Sequence, residues 1–409
     1  MIQEQPMILL AGHASIDIYP ELSSTTNSFS SFQPGALIHV ENVRFSVGGA
    51  VLNTGIALHR LGMSVRLSVR IGKDPYGVIL RDLIEKQLNQ ESGCPYSKSE
   101  CEFIESDDVT SSVIVLNPMN TDRMFLYCPG TNRSFDICDV QGLSLNGIQL
   151  FHFGYPSLLE RMYMDDGRSL LTLFKELRNK GIIVSLDLSM PDLHSPAGKV
   201  QWDEFLKRVL PEVDIFMPSI EEIMFMMYRS RYEEIKSCTH SFNDGVTEQD
   251  LETISKNILA LGVRIVGIKL GSDGLYVRTS SVDTHVYNDF LLPDWWSNKL
   301  ELSWSNRELI VPCFKVNTIG TTGAGDSTIA GFLCGLIQNM SIEETMKFAV
   351  GVGACCVEEL DSITGIPQME KVNQRIVDGW DRLLTTLELP GWVMDDYLYQ
   401  SPRDRLYVK

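Results

Sequence analysis

The sequence lacks any apolar run long enough to cross a membrane. No stretch approaches the roughly 18 apolar residues of a transmembrane helix, and Met1 to Gln5 carry no basic segment, so we expect no signal peptide. Positive charge is also scarce, since 35 Lys and Arg face 53 Asp and Glu, for a net charge of −18. This excess of acid argues against a nucleic-acid or membrane partner. A phosphate site, which needs only local donors, remains compatible with it.

Structural zinc and disulfides are not expected either. The nine cysteines are an odd number and show no zinc-type spacing. Cys334 and the pair Cys355-Cys356 lie in apolar, helix-like runs, which is typical of reduced core thiols in a cytoplasmic protein. The composition, 44% hydrophobic and 22% charged, is that of a globular protein, and 409 residues suffice for one large α/β domain or two domains.

The stretch GTTGAGD at residues 320–326 is the strongest local signal. It runs into an apolar, helix-like segment from Ile329 to Ile337, so its glycines would place free backbone N–H groups at a helix N-terminus, where anions bind. A carboxylate in the same turn would repel an anion unless it accepts a proton during charge transfer. An anion cradle beside a base suits phosphoryl transfer to a hydroxyl. The alternative is a tight turn in which Asp326 only caps the helix.

A second stretch, GGAVLNTGIALHRLG at residues 48–62, turns this local signal into a family resemblance. It has a Gly pair, an Asn four residues on, and an apolar helix ending in Leu-Gly. The two stretches together resemble the two signature regions of the ribokinase-like (PfkB-type) carbohydrate kinases, over roughly residues 7–367. Relatives that take free pentoses often carry a Lys directly after the Gly pair. The Ala50 found here counts against ribose.

The order of predicted elements agrees with such a fold. From Leu150 onward, apolar strands alternate with helical segments, which predicts a parallel sheet with helices on both faces. The resemblance implies one ribokinase-like domain with a doubly wound, mainly parallel sheet, and a small β-sheet lid from about residues 18–47 and 107–130. Residues 280–310, which include Trp295, Trp296 and Trp304, look like an insertion packed on the sheet. Residues 388–409 form a tail that docks on the body or on a second subunit.

The predicted sugar site combines strand ends with the first signature region. Asp17 follows the first strand, and ligands of open α/β sheets bind at the carboxyl ends of strands. Asn53 offers both a donor and an acceptor to a sugar hydroxyl. With the resemblance, the predicted substrate-binding residues are Asp17, Gly48, Gly49, Asn53 and Arg123. For Asp17 a turn, and for Arg123 a solvated strand position, are the alternatives.

The nucleotide site is predicted mainly from the resemblance, which implies ATP and Mg²⁺. Glu222 matches an Asn-x-x-Glu motif that places magnesium through water, although Ser219 replaces the Asn; the two could equally be ordinary helix-start residues. The predicted cofactor-binding residues are Lys269, Gly271, Gly274 and Thr322. Gly320 replaces an Asp of the family pattern. In relatives, loops at the position of residues 361–367 bind a monovalent cation or border the adenine.

The sequence therefore predicts ATP-dependent phosphorylation of a primary hydroxyl of a sugar. Asp326 would be the general base, and the backbone N–H groups of Gly323, Ala324 and Gly325 would hold the developing charge. A nucleoside or sugar-phosphate kinase is one alternative, and the latter would need basic side chains such as Arg44, Arg123 and Arg133. A sugar-binding sensor without catalysis is another. Lids in this family often pair across a homodimer.

Overall fold

The computed structural model describes residues 6–22, 29, 32–90, 97–117, 123–239, 241–281, 296 and 303–406. Within these ranges no helix is both long and apolar enough to pass through a membrane. The eight cysteines in the described ranges are free thiols. The prediction about Met1 to Gln5 and that about Trp295 lie outside the described residues.

The chain alternates strands and helices along most of its length. The strands, β1 to β15, are Met7–Gly12, Ser15–Leu22, Val40–Gly48, Ser64–Gly72, Glu100–Ser106, Ser112–Leu116, Met124–Cys128, Ile148–Gly154, Ile183–Asp187, Ile215–Phe216, Ile265–Lys269, Leu275–Thr279, Glu308–Val311, Val393–Asp395 and Leu398–Gln400. The α-helices with described bounds, α1 to α12, are Ala50–Arg60, Pro75–Leu88, Cys138–Gln141, Glu160–Met164, Arg168–Arg178, Trp202–Val209, Ile220–Met227, Arg229–Cys238, Glu248–Ala260, Ala324–Ile337, Ile342–Cys356 and Met369–Val377.

Eleven strands form one sheet in the order β14-β15-β13-β12-β11-β10-β9-β8-β1-β4-β5. The strands from β5 to β11 in this order pair in parallel, and β12, β13, β15 and β14 extend the β11 edge in antiparallel fashion. Side chains alternate between the faces: Ile8 and Leu10 pack into one hydrophobic core, Leu9 and Ala11 into the other. The predicted doubly wound, mainly parallel sheet is confirmed.

Helices cover both faces of this sheet. The core on one face takes residues of α1, α2, α10, α11 and α12, and the core on the other takes residues of α3 to α9 except for exposed positions. Several helices begin at sequence-encoded caps, because Ser219, Thr247 and Ser341 each form a capping box that satisfies free N–H groups at the first turn. Asp74 likewise caps α2 by accepting from Gly77 N at 2.8 Å.

A separate four-stranded sheet, β3-β2-β6-β7, is the element that the sequence predicts as a lid. β2 pairs antiparallel with β3 and parallel with β6, and β6 and β7 form an antiparallel hairpin. Each face of this lid sheet carries both buried and exposed apolar side chains. On one face Ile16 is inaccessible and Phe45 is exposed, and on the other Val115 is nearly inaccessible and Phe125 is exposed.

The regions predicted as an insertion and a tail contribute to the main sheet. β13 begins at Glu308, inside the range 280–310, so the last residues of that range are a sheet strand rather than inserted sequence. The described tryptophans of this range, Trp296 and Trp304, are fully buried. The tail adds β14 and β15 to the β13 edge, so it docks on the body of the same chain.

Candidate active site

The site lies where the parallel strands end. Gly12 of β1 pairs with Gly154 of β8, and Gly154 pairs with Asp187 of β9, so three strands finish at the same level. Lys269 ends β11 and forms a bridge with Ser219, which follows β10. The carboxyl ends of parallel strands lack further sheet partners, so polar side chains here meet at one edge.

The first turn of α10 forms the rim of this edge. Its N-cap, Gly323, has a left-handed backbone with φ +76°, and a Cβ atom there would lie 2.3 Å from Cβ of Ser362. Only glycine allows both this left-handed backbone and the close approach of Ser362. Gly323, Ala324 and Gly325 all line a cavity of about 460 Å³. The Ala324 N–H donates to Thr321 O across 3.4 Å. The turn that the sequence predicts as an anion cradle is thus a helix N-terminus that lines the cavity, and anion binding there stays a prediction.

Asp326 is a buried carboxylate in this turn, with 2% of its surface exposed. Its Oδ2 accepts from Nδ2 of Asn53 at 2.9 Å, and its Oδ1 accepts from the Tyr155 hydroxyl at 2.8 Å. Burial raises the pKa of Asp326, and the Asn53 amide and the Lys269 ammonium partly offset that rise. The carboxylate is held in one orientation and is a stronger proton acceptor than an exposed aspartate.

Tyr155 reaches Asp326 because of an unusual backbone. It follows β8 directly and has a left-handed conformation with φ +63°, which is rare for a bulky residue. Its N–H donates to Asp187 O at 3.3 Å. Burial is the main reason that the pKa of Tyr155 lies well above its usual value, so the hydroxyl stays protonated and remains a donor to Asp326.

The hydrogen-bond partners of Asn53 in the structure are protein groups, whereas the sequence predicts a sugar hydroxyl as its partner. Its Oδ1 accepts from Oγ of Ser362 at 2.6 Å while its amide holds Asp326, and only 4% of the residue is exposed. The predicted contact with a sugar hydroxyl would have to use the second N–H of the amide. In the structure Asn53 supports Asp326 and joins it to the loop that contains Ser362.

Lys269 supplies a buried positive charge beside the helix. Its Nζ lies 2.6 Å from Oδ1 of Asp187, which is fully buried. A Cβ atom at Gly325 would lie 3.4 Å from the same Nζ, so the ammonium faces the first turn of α10. Burial lowers the pKa of Lys269, but the carboxylates of Asp187, Glu222 and Asp326 outweigh it and hold the pKa above its usual value. Lys269 is therefore a fixed cation.

Glu222 lies in the same cavity, and its neighbour Ser219 explains the departure from the family motif. Ser219 Oγ accepts from Glu222 N at 3.3 Å, and Glu222 Oε2 accepts from Ser219 N at 2.7 Å. This capping box fixes the carboxylate at the start of α7. Burial raises the pKa of Glu222. Glu222 therefore caps the helix and also lines the cavity, and its role in holding magnesium stays a prediction.

The far half of the cavity is more apolar. Its walls include Gly271 and Gly274, two of the residues predicted for cofactor binding, together with Cys313, Phe314, Val350, Val357 and Leu383. Phe314 stacks on Trp380, with ring centroids 4.3 Å apart, and Arg382 lies over the Phe314 ring. This stack makes a rigid wall. Thr321 lines the large cavity, whereas Thr322, the residue predicted for cofactor binding, lines a smaller one of about 150 Å³ on the lid side.

Asp17 and the Gly pair pack against each other behind the cavity. A Cβ atom at Gly48 would lie 1.9 Å from Oδ1 of Asp17, and one at Gly49 would lie 2.5 Å from Nδ1 of His13. The absence of side chains at Gly48 and Gly49 therefore leaves room for the side chains of Asp17 and His13. Asp17 accepts from Ser15 Oγ at 3.0 Å, and burial raises the pKa of Asp17 to about 7. Within the described part of the chain, neither cavity is lined by Asp17, Gly48, Gly49 or Asn53.

The three arginines considered for a sugar phosphate are not brought together. Arg123, from the lid, lines both cavities. Arg44 is paired with Glu21 and Arg133 with Glu160, and both side chains are more than half exposed. Among these candidates only Arg123 is placed to meet a ligand.

Gly320 has a steric reason to lack a side chain. A Cβ atom there would lie 2.8 Å from Glu359 O and 2.9 Å from Leu360 O. The segment after α11 therefore occupies the space that the Asp of the family pattern would need.

Sequence reasoning missed Tyr155, Asp187 and Ser362. Tyr155 and Asp187 lie at strand ends, and applying the strand-end rule to β8 and β9 as it was applied to β1 would have found them. Ser362 is distant in sequence from both of its contacts, Asn53 and Gly323, and no local pattern marks it.

Comparisons with known proteins show the family of this chain. Residues 6–124 and 167–369 match the model of the pfkB family carbohydrate kinases. Fructokinase-2 of Oryza sativa is 22% identical over 390 residues, which cover 91% of this chain and 94% of that protein. The structure of Arabidopsis thaliana ribokinase complexed with ribose and ATP superposes with a TM-score of 0.60 at 18% identity, over 90% of this chain and 98% of that chain.

A fructokinase of Xylella fastidiosa with bound ATP is similar to the same extent. It superposes with a TM-score of 0.63 at 19% identity, over 91% of this chain and 98% of that chain. The family model spans more than half of the sequence, including both signature regions and the residues around Asp326. The chain therefore belongs to the pfkB family of carbohydrate kinases, which are phosphotransferases with an alcohol group as acceptor.

Proposed function

We propose that this protein transfers the γ-phosphoryl group of ATP to a primary hydroxyl of a free sugar, with Asp326 as general base. The observation that carries the proposal is the placement of Asp326. Its buried carboxylate is fixed by Asn53 and Tyr155 in the first turn of a helix whose N–H groups open into a cavity that also contains Lys269.

Proton transfer is the role of Asp326. A carboxylate whose pKa is raised by burial accepts the hydroxyl proton more readily while the oxygen attacks phosphorus. Tyr155 and Asn53 donate to it and stop it from rotating away. General base catalysis of this kind typically contributes about 10²–10⁴-fold. After transfer, the proton stays on Asp326 until solvent removes it.

Charge on the transferred group would be held by backbone and side-chain donors. The N–H groups of Gly323, Ala324 and Gly325 lie at the positive end of α10. Lys269 adds a fixed positive charge over the same turn. Donors already in place when charge develops need no reorganisation, which is why such sites stabilise transition states.

The residues of the cavity fit a magnesium ion carried by the nucleotide. Within the described residues, no group of three or more His, Cys, Asp or Glu side chains forms a metal cage. Mg²⁺ is usually held by one or two carboxylates, waters and substrate phosphates. Glu222, half-buried and in the cavity, would hold it through water, as the family resemblance implies. When bound, Mg²⁺ would neutralise charge on the nucleotide phosphates.

The nucleotide base would lie in the apolar half of the cavity. Gly271 and Gly274 bring backbone close to the ligand on one side, and Phe314 and Leu383 offer apolar surface on the other. The lid sheet would cover the sugar end and exclude water, so that ATP is not hydrolysed.

A homodimer through the lid is part of the proposal. One face of the lid sheet exposes Val43, Phe45, Met124 and Leu126, and Phe125 is exposed on the opposite face. Apolar side chains in such number on one small sheet are typical of an interaction surface. Sedimentation velocity of the purified protein measures this directly, and a strict monomer at micromolar concentration would refute it. The cytoplasmic location stays a prediction.

The proposal is tested by ADP release from Mg-ATP with a panel of hexoses, pentoses, sugar phosphates and nucleosides. We expect release to depend on a free sugar. Preference for a phosphorylated sugar would move Arg123 into a phosphate-binding role, and preference for a nucleoside would replace the sugar assignment. Tight sugar binding without ADP release would identify a sensor and refute the kinase.

A further inference from the structure

The side chain of Arg60 is bonded to a cluster of backbone carbonyls. Arg60 is the last residue of α1, and its Nη1 donates to Ile363 O at 2.5 Å, Thr364 O at 3.2 Å and Ile366 O at 3.4 Å. Its Nη2 donates to Oε1 of Gln87 at 2.8 Å. Three carbonyl oxygens of one short segment therefore converge on a single nitrogen of a guanidinium.

Converging backbone carbonyls are the usual ligands of hard cations such as K⁺. In this chain the positive charge at that point is covalently attached to α1. An arginine is always charged at physiological pH, and hydrogen bonds from a charged donor are stronger than those between neutral groups. The carbonyls of Ile363, Thr364 and Ile366 are thus satisfied without an ion from solution.

The segment held by Arg60 is tied to the catalytic base. Asn53 and Arg60 are seven residues apart on α1, so they lie on the same face of the helix. Asn53 accepts from Ser362 and donates to Asp326. Ser362 also packs against Gly323, the N-cap of α10. One face of α1 is therefore hydrogen-bonded to residues 362–366 at two points, Asn53 and Arg60. That segment in turn packs against the first turn of α10.

Gly320, which stands where the family pattern has an Asp, offers this segment no carboxylate ligand. Gly320 faces the carbonyls of Glu359 and Leu360 with no space for a side chain. The nearby carboxylate of Asp361 is turned into its own loop, where Oδ1 accepts from Ile363 N at 2.9 Å and Thr364 N at 2.7 Å. Arg60 thus occupies the carbonyls of Ile363, Thr364 and Ile366, Gly320 supplies no carboxylate, and the Asp361 carboxylate is engaged within its own loop.

We propose that Arg60 is a positioning residue that replaces a monovalent cation, so that this kinase works without K⁺ or Na⁺. The residues at 361–367 do not fit the cation that the family resemblance suggested for this loop. The inference deepens the proposed function, because the loop fixed by Arg60 supports Asp326 and the anion cradle.

The wild-type protein tests this first. We would exchange it into choline chloride or KCl at equal ionic strength and measure the melting temperature, the Kd for Mg-ADP and the rate of ADP release by direct chromatography. We expect all three to be the same in both salts. A rise in melting temperature or ADP affinity specific to K⁺, or stimulation of turnover by about fivefold or more, would overturn the proposal.

The variant Arg60→Ala tests the role of the guanidinium. We expect weaker ADP binding and slower turnover in choline chloride, each by about tenfold, with partial recovery in KCl or in added guanidinium. Arg60→Lys, which keeps the charge, should lie between the two. Arg208→Ala is a matched control, since Arg208 also donates to a backbone carbonyl, that of Asp166, away from the site.

Each remaining outcome decides the question. Unchanged properties of Arg60→Ala, or a loss that neither K⁺ nor guanidinium restores, would refute the role of Arg60 as a cation. If Arg60→Ala does not fold, the wild-type measurements and Arg60→Lys still decide. Melting temperature and ADP binding need no sugar turnover, so failure of the kinase proposal would be seen separately in the absence of ADP release.

Discussion

The two ends of the site differ in how their residues are held. At the phosphate end, Asp326 and Asp187 are almost completely buried, and each is fixed by hydrogen bonds of 2.6–2.9 Å from neighbouring side chains. In the lid sheet, Phe125 and Leu126 have 47% and 50% of their surfaces exposed. The first end is built on strand ends and a helix N-terminus, and the second on a thin sheet facing solvent.

This difference indicates a division of tasks. Groups that move a proton and hold charge must be placed within a fraction of an ångström, which buried side chains on rigid elements achieve. Groups that select a substrate lie where side chains can change without disturbing a core. We therefore expect substitutions at the phosphate end to abolish turnover, and substitutions in the lid to alter the sugar preference.

The largest effect is expected at Gly323. In Gly323→Ala the new Cβ would lie 2.3 Å from Cβ of Ser362, so either Ser362 or the first turn of α10 must move. We expect ADP release to fall at least about a hundredfold. Gly379→Ala is the control, because Gly379 also has positive φ, +88°, but open space around its Cα. It should lose only about 1 kcal/mol of stability, and equal turnover in the two variants would contradict the account.

A smaller effect is expected from removal of the buried cation. Lys269→Met takes away the charge that faces Gly325, so we expect the KM for ATP to rise by about tenfold with a smaller change in sugar KM. Lys207→Met is the control, since Lys207 is exposed and pairs only with Asp203 and Glu204 of its own helix. An unchanged KM for ATP in Lys269→Met would remove Lys269 from the nucleotide site.

Asp17 gives a prediction about stability and pH. Its pKa is about 7 in the folded protein against 3.8 as the usual value, so the folded state binds the proton more tightly. Stability therefore falls as pH rises from about 4 to about 7, by up to about 4 kcal/mol. Asp17→Asn has no carboxylate at this position, so its stability should not fall with pH in this way. The unfolding free energy of Asp17→Asn minus that of wild type should therefore increase from about pH 4 to about pH 7.

The helix cap Asp74 should show the opposite sign. Its pKa is lowered, because the hydrogen bonds from Thr110 and Gly77 outweigh the effect of burial. Asp74→Asn should therefore be less stable than wild type at neutral pH and approach it at low pH. Denaturant unfolding of both variants between about pH 2 and pH 8 measures the comparison, because the contribution of Asp74 is lost only below its usual pKa of 3.8. Parallel trends for Asp17 and Asp74 would show that burial of Asp17 does not control its proton.

The sequence was most informative where function depends on short, local patterns. The Gly-Ala-Gly-Asp turn and the Gly pair identified the α10 cradle and the start of α1, because glycine is required there by backbone conformation or close packing. The alternation of strands and helices was sufficient for the doubly wound sheet. The capping box at Ser219 and Glu222 could also be read from spacing alone.

Other parts of the site depend on contacts between distant residues. The left-handed backbone of Tyr155 and the bond from Ser362 to Asn53 follow from tertiary packing, which no local pattern encodes. Thr321 rather than Thr322 lines the large cavity, a difference of one residue that the sequence pattern does not resolve. The functional roles of the predicted sugar-site residues stay predictions, since they depend on how the lid closes over a ligand.

The most direct test of the central claim is ADP release by wild type and Asp326→Asn with the best sugar of the panel. We predict that kcat falls by at least about a hundredfold in Asp326→Asn while ATP affinity changes little, because only proton transfer is lost. In the wild type kcat should rise with pH as the raised pKa of Asp326 is passed. A kcat within about tenfold of wild type in Asp326→Asn would contradict the assignment of Asp326 as the general base.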